Sequence, residues 1–138
     1  MEHPDDARRR SPGPQFDSLN HLTNRVIGCA IAVHRELGPG LLESAYDGAF
    51  CIELGHQGLQ FLRQQSCPVK YRGTPVGSYR LDFLIEDTLV VEVKSVERFE
   101  YLFVAQMLTY LKATGRPLGL LLNFNVPVLK AGIRRVIR

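Results

Sequence analysis

Three ionisable residues stand in apolar surroundings where a charge is costly. Asp82 lies within Arg80-Leu81-Asp82-Phe83-Leu84-Ile85, and Glu92 and Lys94 lie within Leu89-Val90-Val91-Glu92-Val93-Lys94. An ion taken out of water needs a partner or a ligand to offset its lost hydration. In a strand alternate side chains share a face, so Glu92 and Lys94 project the same way, about 6.5–7 Å apart. Whether Asp82 joins them depends on the turn at Glu86-Asp87-Thr88. A loop of all three residues pairs Ile85 with Leu89 and hence Asp82 with Glu92; a shorter loop pairs Asp82 with Val91 and sends the acid to the other face. The first register also gathers Leu81, Phe83, Ile85, Leu89, Val91 and Val93 on one apolar face, and that agreement favours it.

Two opposed carboxylates repel each other, and a divalent cation between them removes the conflict. Oxygen donors suit a hard ion such as Mg²⁺, with Mn²⁺ as a substitute. Lys94 could then bring its ammonium to an attacking water or a phosphate oxygen. Metal polarisation, a metal-activated water and a cationic clamp together can hydrolyse a phosphodiester. An isolated Glu-x-Lys is more often a plain salt bridge, so the set needs company. Gln106 and Tyr110, at i and i+4 of a helical segment, share one face. Glu43 and Tyr46 stand at i and i+3 in the first turns of another helix. A carboxylate there is favoured by the helix dipole alone, and Tyr46 reads equally well as a core aromatic with a wet hydroxyl.

The elements that must hold these residues follow from periodicity. Residues 1–16, rich in proline and charge, are expected as a disordered arm, with a single domain over residues 17–138. Leu22, Val26, Ile27, Ala30, Ile31, Val33 and Leu37 mark a helix over Leu19–Leu37, with Thr23 as its cap or within its first turn and Gly38-Pro39-Gly40 as its stop. A second helix is expected over Leu41–His56. Short strands follow at Gln60–Gln65 and Pro68–Tyr71, with a turn at Arg72–Pro75, then strands at Ser78–Ile85 and Leu89–Val96. Phe99–Thr114 returns to a helical period. Leu118–Phe124 is a nearly continuous apolar run, as in a strand buried on both faces, and Gly132–Arg138 ends the chain as a short strand. The expected class is α/β, a mixed sheet flanked by helices with one extra helix at the N-terminal side.

Composition narrows the function. The 138 residues are 45% hydrophobic and 22% charged, ordinary for one globular domain. No apolar stretch is long enough to span a membrane, and no hydrophobic segment near Met1 suggests a secretory signal, so a cytoplasmic location is expected. Cys29, Cys51 and Cys67 show no metal-ligand spacing and read as reduced thiols. The four histidines are scattered, so any bound metal should have oxygen ligands. The net charge of +3 hides an asymmetry: after Glu100 there is no acid, while Lys112, Arg116, Lys130, Arg134, Arg135 and Arg138 follow. Such a stretch suits a polyanion.

The order Glu43, Asp82, Glu92-Val93-Lys94, Gln106-x-x-x-Tyr110 resembles the PD-(D/E)xK phosphodiesterase superfamily. Gly40-x-x-Glu43-x-x-Tyr46, preceded by Val33-His34-Arg35-Glu36-Leu37-Gly38-Pro39, is similar to the GxxExxY family within it. Tyr110-Leu111-Lys112 and Gly119-Leu120-Leu121-Leu122-Asn123-Phe124 also look like that family's later blocks, so the likeness covers about residues 19–138. The resemblance implies a restriction-endonuclease-like αβββαβ core. It implies that Asp82, Glu92 and the Val93 carbonyl, with Glu43 as a helix-borne acid, ligate Mg²⁺, and that Lys94 activates water. Gln106 and Tyr110 would complete the catalytic set, with Tyr46, Lys112, Arg116, Lys130, Arg134 and Arg135 toward nucleic acid. Family members often carry histidine three residues before the glutamine; here that residue is Phe103. The expected protein is a nuclease acting on nucleic acid, DNA ahead of RNA, and a homo-oligomer such as a dimer. The competing reading is a catalytically silent binding or assembly module that keeps the fold.

Overall fold

The computed structural model describes residues 14–138, with side chains from residue 17 onward. Most of the expected arm, residues 1–13, lies outside the described residues. Helix α1 spans Pro14–Leu37 and so starts inside that expected arm, five residues before Leu19. Its buried stripe, Val26, Cys29, Ala30 and Val33, has the i, i+3, i+4, i+7 spacing of a helix packed on one side. Thr23 is no cap: it lies within the helix, where its hydroxyl donates to the Leu19 carbonyl (2.8 Å). Helix α2 follows at Glu43–His56, with Tyr46, Phe50 and Leu54 buried.

Five strands form one sheet in sequential order: β1 Phe61–Tyr71, β2 Thr74–Ile85, β3 Leu89–Lys94, β4 Leu118–Asn123 and β5 Ile133–Ile137. All neighbours are antiparallel except β3 and β4, which are parallel and are joined by helix α3, Tyr101–Thr114. A parallel pair needs such a crossover. Helices α1 and α2 cover one face of the sheet, packing on Phe83, Ile85, Val91, Val93, Leu120 and Leu122. Helix α3 covers the other, where Met107, Tyr110 and Leu111 meet Leu84, Val90, Leu121 and Val136. Covered on both faces, every residue of β4 is buried. Gly119 permits the approach of α3, since a Cβ there would fall 2.4 Å from the Met107 sulfur. The apolar run at Leu118–Phe124 therefore serves the core of one chain.

The two short strands expected at Gln60–Gln65 and Pro68–Tyr71 are one continuous strand, β1, which forms a long hairpin with β2. Strand β1 runs unbroken through Pro68, which an edge strand tolerates because its outward N–H has no ladder partner. Its turn is only Arg72-Gly73, both at positive φ (50° and 80°), the geometry of a tight hairpin. The β2–β3 register is the expected one, Ile85 opposite Leu89 and Phe83 opposite Val91. One detail differs. Leu81 does not share a face with Phe83; it packs with Leu84 and Val90 under α3. Pairing of β1 with β2 skips from Arg63–Phe83 to Gln65–Leu81, and Gln64 between them is left-handed (φ 52°). Both strands change face there, and Asp82 sits at the change.

Candidate active site

Past Phe83 and Val91, β2 and β3 separate and side chains replace the ladder. The Asp82 N–H donates to Glu92 Oε1 (3.2 Å), and the Val93 N–H donates to Asp82 Oδ2 (2.8 Å). Each carboxylate thus closes off a backbone amide that the diverging strand has freed. Glu92 is 6% exposed. Burial, followed by the Asp82 charge and a side-chain hydrogen bond to Asp82, pushes its carboxyl up to about 9, against the opposing pull of the Asp82 N–H and Lys94. Among the described residues no three His, Cys, Asp or Glu side chains converge as a metal cage. Glu43, expected among the ligands, stands in the first turn of α2 within electrostatic reach of Asp82. The donors that fit a cation are the Asp82 and Glu92 carboxylates, hard oxygens suited to Mg²⁺ or Mn²⁺.

A raised carboxyl has a defined consequence for stability. The folded state holds the Glu92 proton more tightly than the unfolded chain does. The favourable contribution is complete below the ordinary carboxyl range and is lost as pH rises toward about 9. A cation bound in place of that proton should stabilise most where the proton is hardest to keep. Mg²⁺ or Mn²⁺ is expected to raise Tm more at about pH 8.5 than at about pH 5.5, by mass action on the folded state. Thermal melts with and without metal check this, and Glu92→Gln should remove the difference.

Lys94 lies on the same face as Glu92, and its Nζ sits 4.6 Å from the centre of the Phe103 ring. The position that differs from the family pattern thus carries a cation–π contact. Among the described residues Lys94 makes no ion pair within 4.0 Å. Glu43, in the first turn of α2, is raised by burial and then by the charge of Asp82, with Lys94 opposing. It therefore feels Asp82 and Lys94 electrostatically from the α2 side. Tyr110 is buried, its hydroxyl pushed up to about 12 by burial and then by the charge of Glu92. Gln106, one helical turn nearer the N-terminus of α3, is exposed.

The remaining expected residues do not form one surface. Tyr46 is fully buried, stacked on Phe124 at 4.7 Å, and its hydroxyl donates to the Gly38 carbonyl (2.5 Å) while accepting from the Leu41 N–H (3.1 Å). It braces the loop before Glu43 and is not available to nucleic acid. Arg116 is paired with Asp87 (2.6 Å) in the β2–β3 turn, at the opposite end of β3 from Glu92 and Lys94. Lys112, in the last turn of α3, lies toward that same end. Arg134 and Arg135 are consecutive in β5 and point to opposite faces. Arg134 is in one row with Leu121 and Glu92, about 10 Å from the acid by strand spacing, and lies over the Phe99 ring (5.1 Å). Arg135 faces the α1 side beside Leu19. Lys130, in the 3₁₀ turn after β4, is exposed at the Lys94 end.

Asn123 enters the sequence only as part of the block Gly119–Phe124, and nothing in an apolar strand end assigns it a role. It is 2% exposed, and its amide grips residue 96 from both sides: Val96 N–H donates to Oδ1 (3.0 Å) and Nδ2 donates to the Val96 carbonyl (3.0 Å). With the Phe124 N–H donating to the Lys94 carbonyl (3.0 Å), it fixes the chain just after Lys94. The Asn125 N–H also donates to Oδ1 (3.2 Å), so Asn123→Ala leaves three part-buried backbone groups without a partner and is expected to cost about 1–3 kcal/mol. Urea melts should show a lower midpoint with an unchanged slope.

A family model described as the PD-(D/E)XK nuclease superfamily matches residues 20–136. No curated protein and no solved structure matches the chain.

Proposed function

This chain belongs to the PD-(D/E)XK nuclease superfamily, and on that premise we propose that it is a divalent-metal-dependent nuclease that hydrolyses the phosphodiester bonds of nucleic acid. The observation that carries the reading is the interlocked Asp82–Glu92 pair with Lys94 on the same sheet face. A buried like-charged pair is unfavourable alone and is what a cation would relieve. Asp82, Glu92 and the Val93 carbonyl would hold Mg²⁺ or Mn²⁺, which supplies charge for the scissile phosphate and lowers the pKa of a water. Lys94 would place its ammonium beside the attacking water and the negative charge that develops on the phosphate. Glu43, across from the pair, adjusts its field from the end of α2. Tyr110 borders Glu92 from α3, and Gln106, exposed one turn away, is placed to meet the strand. The Gly40-x-x-Glu43-x-x-Tyr46 block supports the finer placement in the GxxExxY branch, with Tyr46 bracing the loop that carries Glu43.

Incubation of plasmid, linear duplex and single-stranded substrates with Mg²⁺ or Mn²⁺ tests the proposal. Cleavage that chelation stops is expected. Salt-sensitive binding with no cleavage under either metal would replace the nuclease by the silent binding module.

A further inference from the structure

The β1–β2 hairpin outruns the sheet to which it belongs. Strand β3 pairs with β2 only from Phe83 to Ile85, whereas β1 and β2 continue together to Tyr71 and Thr74. Beyond Gln65 and Leu81 the two strands form a ribbon in which only Cys67 is buried and nearly all the rest are exposed. A bare ribbon gains little from burial, so its length needs another reason. Charge suggests one. No Asp or Glu occurs anywhere between Glu53 and Asp82. Lys70, Arg72 and Arg80 are exposed on the ribbon, and among the described residues none of them enters an ion pair. Tyr71 and Val76 stand out between them, 67% and 65% exposed, with Arg72 lying over the Tyr71 ring (6.0 Å).

Position and size give the occupant. The ribbon departs from the sheet at Asp82 and reaches its turn about 26 Å away at strand rise. That length matches about eight base pairs of B-form duplex. A two-stranded ribbon fits the major groove of B-DNA, while the corresponding groove of A-form RNA is too narrow for side chains. Pairing of the β1 edge with a second copy is opposed by Pro68, which interrupts an edge ladder, and by the twist that the extra β2 residue Val76 introduces opposite Val69/Lys70. We propose that the β1–β2 hairpin beyond Gln65 and Leu81 is a duplex-DNA-gripping arm, with Lys70, Arg72 and Arg80 holding phosphates and its base delivering the duplex to Asp82 and Glu92. What happens at that base rests on the nuclease reading; the grip does not.

The test is binding without metal, read by fluorescence anisotropy, so that cleavage plays no part. The triple variant Lys70→Gln/Arg72→Gln/Arg80→Gln changes only exposed side chains, and circular dichroism confirms its fold. On a duplex of about 20 base pairs the dependence of log affinity on log salt should be shallower by about 2.7 in the variant, the value for three lost phosphate contacts. On a duplex of about five base pairs wild type and variant should agree closely. An unchanged salt slope on the long duplex overturns the arm. So does an equal change on duplex RNA, or a variant altered only in its mass in solution, which would make the hairpin a protein interface. If the wild type cleaves nothing while the slope shifts as stated, the nuclease reading fails and the arm stands. Normal Mg²⁺-dependent cleavage with an unchanged slope removes the arm alone.

Discussion

Asp82→Asn is expected to lower metal-dependent cleavage by on the order of 10³-fold or more, while raising the Tm of the metal-free protein at about pH 8. The two effects have one origin. Asparagine has nearly the same shape and keeps an oxygen to accept the Val93 N–H, which Asp82 Oδ2 accepts at 2.8 Å. What it removes is charge. Without that charge the repulsion that raises Glu92 is weakened, and Glu92 ionises more easily in the folded state. Relief worth about 1 kcal/mol would appear as about 2–5 °C in Tm for a domain of this size. A cation would lose one of its two carboxylates, and an electrostatic group at a reacting centre is commonly worth several orders of magnitude in rate. Cleavage assays and metal-free melts on one preparation measure both. A variant that loses activity and melts lower would mean that Asp82 serves the fold, not the chemistry.

Lys94→Ala is expected to reduce kcat about 10²–10³-fold, or about 2.7–4 kcal/mol in barrier, with little change in KM. Its ammonium has no ion pair among the described residues and rests 4.6 Å from the Phe103 ring, so its loss breaks no structural bridge. Lys94→Arg should recover little, because the planar guanidinium does not put a compact charge at the same point. Phe103→Leu should fall between wild type and Lys94→Ala, and Phe103→Tyr should stay near wild type, since it keeps the ring face. Steady-state kinetics separates these outcomes. If Lys94→Ala raised KM and spared kcat, the lysine would be a substrate clamp with no part in the chemical step.

Much of the fold was legible because its signals are local. The glycine after α1, the helical stripe over Val26 to Val33, the unbroken apolar run of β4 and the turn at Glu86–Thr88 each depend on a few neighbouring residues. The register of β2 against β3 followed from agreement between loop length and apolar alternation, and it brought Asp82 beside Glu92 as expected. Leu81 broke the alternation because the change of face at Asp82 involves a left-handed Gln64 across the ladder in β1. No property of Leu81 or its neighbours announces that. Residue type left Tyr46 open: a tyrosine serves a core or a surface equally well, and only its packing and the Gly38 and Leu41 backbone groups around its hydroxyl decide between them.

The charge balance divides along the same line. By itself the chain determined the kind of chemistry at issue, because a carboxylate or an ammonium inside an apolar strand is costly wherever that strand lies. It could not determine which cations act together. Six basic residues follow Glu100, yet strand alternation parts Arg134 from Arg135, and the crossover through α3 carries Lys112 and Arg116 to the end of the sheet away from Glu92. The acid-free segment before Asp82 was equally present in the chain. Its weight came only from tertiary structure, which leaves the β1–β2 ribbon exposed beyond the sheet and rooted at Asp82. Electrostatic action depends on distance in space, and distance is what folding decides.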